Sequence, residues 1–155
     1  YADHLGITLD AAIAAMGQEN GQTDATDKGV TEFIGSWSQN VTSWVSQEGP
    51  TVLVVRYEDM LATPKTTFGR VVKFLHLQRT PHMVRKAIEN TRFDKLARQE
   101  TKTGFGERSP KQEKFFRRGR SGGWRAILSE AQVQQIEQDH GALMRHFGYL
   151  GEQST

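Results

Sequence analysis

The 155-residue chain contains no cysteine. That removes disulfides, thiolate metal sites and a cysteine nucleophile, and it suits a reducing compartment. There is no apolar run approaching the roughly 18 residues that a membrane-spanning helix requires, no internal repeat and no low-complexity linker. Basic residues are scarce at the start: residues 1–50 hold seven acids against one base, Lys28, which leaves that stretch at −6 in a chain of formal charge +2. The remainder therefore carries +8. Much of this excess falls in residues 111–125, where Lys111, Lys114, Arg117, Arg118, Arg120 and Arg125 are offset only by Glu113. One localised basic stretch on a nearly neutral protein points to a single anionic ligand more than to a broad nucleic-acid face.

Helical periodicity marks most of the chain. Leu5, Leu9, Ala12, Ile13 and Met16 predict a first helix that Gly17 ends, and a polar loop follows over 17–30. Phe33, Trp37, Val41, Trp44 and Val45 line one face of a second helix stopped by Gly49-Pro50, with Trp37 and Trp44 read as core positions. "TVLVVRY", residues 51–57, is an unbroken apolar run and predicts a strand covered on both faces, as in a parallel sheet. Thr63-Pro64 and Thr80-Pro81 each combine a cap with a helix-opening proline. The helices they open turn Phe68, Val71, Val72 and Leu75, then Met83, Val84, Ala87 and Ile88, inward. Order fades after Thr91-Arg92-Phe93, and residues 100–123 read as a long charged loop. The capping box Ser129-Glu130-Ala131-Gln132 opens a last helix that buries Val133, Ile136, Leu143, Met144 and Phe147 and ends at Gly148. One strand of this kind needs sheet neighbours for its backbone groups, and no second run of equal quality exists in the sequence. The expectation is the C-terminal part of an α/β domain over residues 1–150, followed by a tail at 151–155.

"RRGRSGG", within "KFFRRGRSGGWR" at 114–125, holds the ingredients of an anion clamp. Arginine forks donate bidentate charge-assisted hydrogen bonds to phosphate, and glycine lets backbone N–H groups approach closely. Composition alone favours a solvated basic loop, since charge runs usually face water. Two further signals favour the clamp. Tyr57 would emerge at the carboxyl end of the strand, where ligands bind in open α/β sheets, and Thr91 with Phe93 offers a hydroxyl and an aromatic face suited to adenine.

The order of these signatures resembles the cytosolic-type sulfotransferase family. Its R-K-G-x-x-G-D-W-K signature is matched by "RRGRSGGWR" at 117–125, its Y-E-D by Tyr57-Glu58-Asp59, its T-S-F by Thr91-Arg92-Phe93, and its G-S-W-x-x-H-V-x-x-W by "GSWSQNVTSW" at 35–44. The resemblance covers about residues 35–150. It implies a P-loop-type three-layer α/β sandwich with a central parallel sheet, of which this chain would be a mostly helical C-terminal fragment with one buried strand. It implies sulfuryl transfer from 3′-phosphoadenosine 5′-phosphosulfate to a hydroxyl or amine of a small acceptor, with no metal, no nucleic acid, no membrane and a cytoplasmic location. Carried over position by position, Arg117, Arg118 and Gly119 would hold the 3′-phosphate and Phe115 and Phe116 would shape the pocket. Thr91, Arg92, Phe93 and Leu96 would follow the nucleotide, with Tyr57 near the base.

The sequence departs from the family pattern in ways that matter. Gly123 stands where the signature has its acid, Arg92 where it has a small hydroxyl residue, and Asn40 where the helix motif has histidine. The dimer motif K-x-x-x-T-V-x-x-x-E would begin at Arg125 but meets Ser129, Glu130 and Gln134, so a dimer by that route is not expected. No G-x-x-x-x-G-K-[ST] loop is present; the resemblance places the phosphosulfate-gripping lysine and the catalytic histidine upstream of Tyr1. His4, His76, His82, His140 and His146 are read as structural or surface residues, and the rival reading is a nucleotide- or nucleic-acid-binding module without turnover.

Overall fold

A computed structural model describes residues 7–23, 30–46, 52–108 and 112–151. These fall into two compact units, one spanning Tyr1–Val52 with Trp124–Thr155 and the other Leu53–Gly123. Helix dominates both.

In the first unit α1 (Leu9–Gly17) starts where the Thr8 hydroxyl accepts from the Ala11 N–H at 3.2 Å, and it buries Ala12 and Ile13. The expected start at Leu5 lies outside the described residues. Two short strands, β1 (Gln22–Thr23) and β2 (Glu32–Phe33), pair antiparallel in the stretch expected to be loop and helix edge. α2 (Trp37–Val45) opens on a full capping box: the Ser36 hydroxyl accepts from Gln39 N–H at 3.2 Å and the Gln39 side chain accepts from Ser36 N–H at 2.9 Å. Phe33 therefore belongs to a strand and is 83% exposed, and Trp44 is 64% exposed. Those two positions are not core; Trp37, at the start of α2, does find a partner.

That partner is the last helix. Arrangement of α1 and α2 against it follows from three contacts. The last helix of the unit (Glu130–His146) carries the capping box read from the sequence, with Ser129 Oγ accepting from Gln132 N–H at 3.3 Å and Gln132 Oε1 accepting from Ser129 N–H at 2.9 Å. Gln132 also donates to Asp10 of α1, and a Cβ placed on Gly17 would come within 2.7 Å of Asp139 Oδ2, so glycine permits the close approach there. His140, 3% exposed, hydrogen-bonds Ser38 Oγ through Nδ1 at 2.8 Å and meets Trp37 edge-on at 5.3 Å. Burial holds its imidazole below the ordinary histidine range, against the opposing pull of Asp139.

The second unit contains α3 (Tyr57–Ala62), α4 (Pro64–Phe74), α5 (Pro81–Asn90) and α6 (Phe93–Thr103), before α7, the helix Glu130–His146 just described. The apolar run expected as a buried strand forms none among the described residues: residues 52–56 lie in no strand, Val52 and Val54 are exposed, and Thr51 lies outside the described residues. Hydrophobicity makes a strand only where partners take up its N–H and C=O groups, and no such partner run exists among the described residues. Tyr57 accordingly opens a helix and is 45% exposed, instead of ending a strand.

The α3–α4 corner is organised by one carbonyl. The Asp59 carbonyl accepts from Thr63 N–H at 2.9 Å and from the Thr67 hydroxyl at 2.9 Å, and Thr67 is 2% exposed. Asp59 also takes both prongs of Arg56, at 2.9 and 3.1 Å, which holds its carboxyl below the usual range. Thr80 caps α5 as expected by accepting from Met83 N–H at 3.3 Å, and Pro64 and Pro81 open their helices. Leu75 and Met83, expected inward, are 55% and 50% exposed; Val84 and Ile88 are the half-buried positions of α5.

Candidate functional site

All ten sequence-predicted site residues belong to the unit Leu53–Gly123. Thr91 caps the end of α5, its hydroxyl donating to the Ala87 carbonyl at 2.9 Å, and Arg92 is the residue before α6, bonded through Nε to Asp94 Oδ1 at 3.0 Å. The Arg92 hydrogen bond, with Arg98 at 2.9 Å on the other oxygen, keeps the Asp94 carboxyl below its ordinary range. Phe93 and Leu96 then stand on α6, at the point where the sequence pattern lost its order. The junction is helix to helix.

α6 runs to Thr103, so the expected loop begins at Gly104, whose φ of 75° lies in the region glycine alone enters cheaply. From there the chain returns to α6. Phe93, Phe105, Phe115 and Phe116 form an aromatic cluster, with Phe105 at 4.6 Å from Phe115 and 5.1 Å from Phe116, and Phe93 at 6.1 Å from Phe116 in an edge contact. Such offset and edge geometries are the favourable ones for ring quadrupoles. Gly119, at φ 60°, lies so close to the Phe93 ring that a Cβ there would overlap ring carbons. The "TRF" and "RRG" stretches, more than twenty residues apart in sequence, are therefore in direct contact.

Two residues outside the expected set build this contact. Phe105 joins the two phenylalanines of the loop. Glu100, 8% exposed near the end of α6, accepts from Phe115 N–H at 2.7 Å and Phe116 N–H at 3.0 Å, one on each carboxylate oxygen. Those backbone bonds, helped by Arg108 and Lys114, depress its pKa. Arg108 in turn donates to the Glu113 carbonyl at 2.7 Å. The sequence did contain a signal: Phe93, Leu96, Ala97 and Glu100 fall at i, i+3, i+4 and i+7, which places a carboxylate on the apolar stripe of a helix.

The loop's cationic side chains remain at the surface. Arg117, Arg118 and Arg120 are exposed, and a Cβ on Gly123 would meet Arg118 Nη1 at 3.4 Å, so the Arg118 fork lies over the glycine that stands where an acid was expected. Arg117 and Arg118 thus lead into the left-handed turn at Gly119, in a stretch whose backbone is held against α6 on both sides: by Glu100 before them and by Phe93 at Gly119. No hydrogen bond or ring contact links Tyr57 to this cluster among the described residues. Nor do His76, His82 or His146 form an ion pair with a carboxylate among them.

Comparison with known proteins gives the family. The family model for the sulfotransferase domain matches residues 18–148. Sulfotransferase 1A1 of Canis lupus familiaris is 28% identical over 121 residues, covering 74% of this chain and 40% of that protein. Cytosolic sulfotransferase 12 of Arabidopsis thaliana is 31% identical over 112 residues, covering 68% of this chain and 34% of that protein. The chain spans about two fifths or less of the length of these curated relatives. Among solved structures, mouse sulfotransferase SULT7A1 complexed with PAP matches with a TM-score of 0.67 over 96% of this chain and 53% of that one, at 18% identity, a likeness of fold. With the family model covering most of its length, this chain belongs to the sulfotransferase family.

Proposed function

We propose that this chain supplies the adenine and 3′-phosphate side of the donor site of a sulfotransferase that uses 3′-phosphoadenosine 5′-phosphosulfate. Arg117 and Arg118 hold the 3′-phosphate through charge-assisted forks, Gly119 lets the backbone turn beneath it, and Phe93 with Phe116 presents ring surface to the nucleotide. The donor supplies an activated sulfuryl group: a bond from the acceptor's oxygen or nitrogen to sulfur forms as the bond from sulfur to the 5′-phosphate oxygen breaks, and the acceptor's proton passes to a base. No described residue is assigned that proton. A complete three-layer sandwich with a parallel sheet belongs to the same reading, as does a small acceptor carrying a hydroxyl or amine.

The observation that carries the reading is the contact of Gly119 with Phe93, because it unites two family motifs around one turn. The mouse neighbour, a sulfotransferase complexed with PAP, lends it support. Calorimetric titration of the full-length protein tests it. Adenosine 3′,5′-bisphosphate should bind well above adenosine 5′-monophosphate, and Arg118→Ala should reduce that preference by roughly 10- to 100-fold, the value of about one hydrogen bond to a charged group. Equal affinity for the two nucleotides in the unsubstituted protein would overturn the assignment.

A further inference from the structure

We infer that Glu100 is a positioning residue that fixes the anion-binding loop in its competent shape before any nucleotide arrives. The inference rests on the donor-site reading above. It starts from an oddity of charge: a buried carboxylate stands directly behind a loop read as a phosphate clamp, where simple Coulomb attraction would favour its absence. Geometry resolves the conflict. Two consecutive backbone N–H groups, those of Phe115 and Phe116, point at one anion, and that anion is Glu100, at 2.7 and 3.0 Å. Successive N–H groups of this kind make an anion nest, and here the protein's own side chain fills it.

Two consequences follow from that occupancy. First, the nest is unavailable to the nucleotide, so Phe115 and Phe116 act through their rings and not their amides; the 3′-phosphate is left to the residues beyond them, from Arg117 on. Second, the loop is pinned at both ends of its basic segment. Glu100 holds 115–116 to the last turns of α6, and Gly119 abuts Phe93 at the first residue of the same helix. A rigid helix of 11 residues thereby sets the spacing over which Arg117 and Arg118 are displayed. The charged groups around the carboxylate, Arg108 and Lys114, both favour its ionised form.

Pinning matters to affinity through the fraction of molecules in the binding-competent shape. An apparent dissociation constant rises in inverse proportion to that fraction, so a loop released to about one-tenth competence binds about tenfold more weakly. The loss should be selective. Adenosine 3′,5′-bisphosphate needs the loop and should weaken about tenfold in Glu100→Ala, with Glu100→Gln intermediate because its amide oxygen still accepts one bond. Adenosine 5′-monophosphate, which makes no demand on Arg117 and Arg118, should change less than twofold.

The test is calorimetry on the full-length protein with both nucleotides for the wild type, Glu100→Gln, Glu100→Ala and Arg118→Ala, together with amide hydrogen exchange at Phe115 and Phe116. Slow exchange at both amides in the wild type and at least tenfold faster exchange at both in Glu100→Ala, alongside the selective loss, is the expected result. If Arg118→Ala removes the preference for the 3′-phosphate while both Glu100 variants keep it, the site reading stands and the role of Glu100 is overturned. If Glu100→Gln weakens both nucleotides equally, the residue merely holds the fold and the inference is likewise overturned. A wild type that does not distinguish the nucleotides removes the site reading and this inference with it.

Discussion

Gly119 shows how much of the site turns on a single missing methyl group. Its φ of 60° costs a residue with a Cβ about 1–2 kcal/mol, and the Phe93 ring occupies the space that Cβ would need. Gly119→Ala should therefore weaken adenosine 3′,5′-bisphosphate binding at least tenfold. In a Phe93→Ala background the same substitution should cost less, because the collision is gone while the backbone cost remains; equal losses in both backgrounds would show that the ring does not constrain the turn. A double-mutant cycle read by calorimetry measures that coupling. The arginines and this glycine were legible in the sequence because their chemistry is local: charge, fork geometry and conformational freedom. Glu100 was not, because a carboxylate among Asp94, Lys95, Arg98 and Lys102 looks like any solvated charge until its place on the helix stripe is known.

Among the elements, the helix starts were legible and the long-range partners were not. Ser129, Thr80, Pro64 and Pro81 sit where capping rules put them, since a cap depends on residues three or four apart. Ser129→Ala should lower stability by about 0.5–2 kcal/mol, seen as a shift in denaturant midpoint with unchanged slope. His140 lies beyond such local rules, because Ser38 and Trp37, which bury it, are about a hundred residues away. Its folded pKa is below the ordinary value of 6.5, so protons bind the unfolded chain more readily than the folded one as pH falls. The stability tied to the neutral ring is thus fully present above about pH 6.5 and is lost as pH falls from there through the folded value. Denaturant midpoints measured from pH 8 to pH 5 should decline for the wild type, and that decline should flatten in His140→Gln; identical profiles would mean that the buried ring does not titrate with unfolding.

For the whole molecule, the apolar run at 51–57 marks the boundary of what a sequence pattern can say. Its composition reads as strand-like, yet residues 52–56 form no strand among the described residues, and Tyr57 begins a helix. Pairing is a property of two segments, and periodicity describes only one. Charge distribution, by contrast, is additive along the chain and was legible from the start, with the acidic first third set against one basic loop. It also separates a mononucleotide site from a polynucleotide face. A protein that neutralises 6–10 phosphates of duplex DNA loses about 10³- to 10⁵-fold in affinity between 50 and 200 mM salt through counterion release. A loop that grips one phosphate with two arginines has no such atmosphere to release. Adenosine 3′,5′-bisphosphate binding should therefore weaken by less than about tenfold over that range, and a duplex oligonucleotide should not displace it at 200 mM salt. A steep salt slope with displacement by the oligonucleotide would instead assign the 111–125 loop to a nucleic-acid surface, because only a ligand with many regularly spaced phosphates produces both effects.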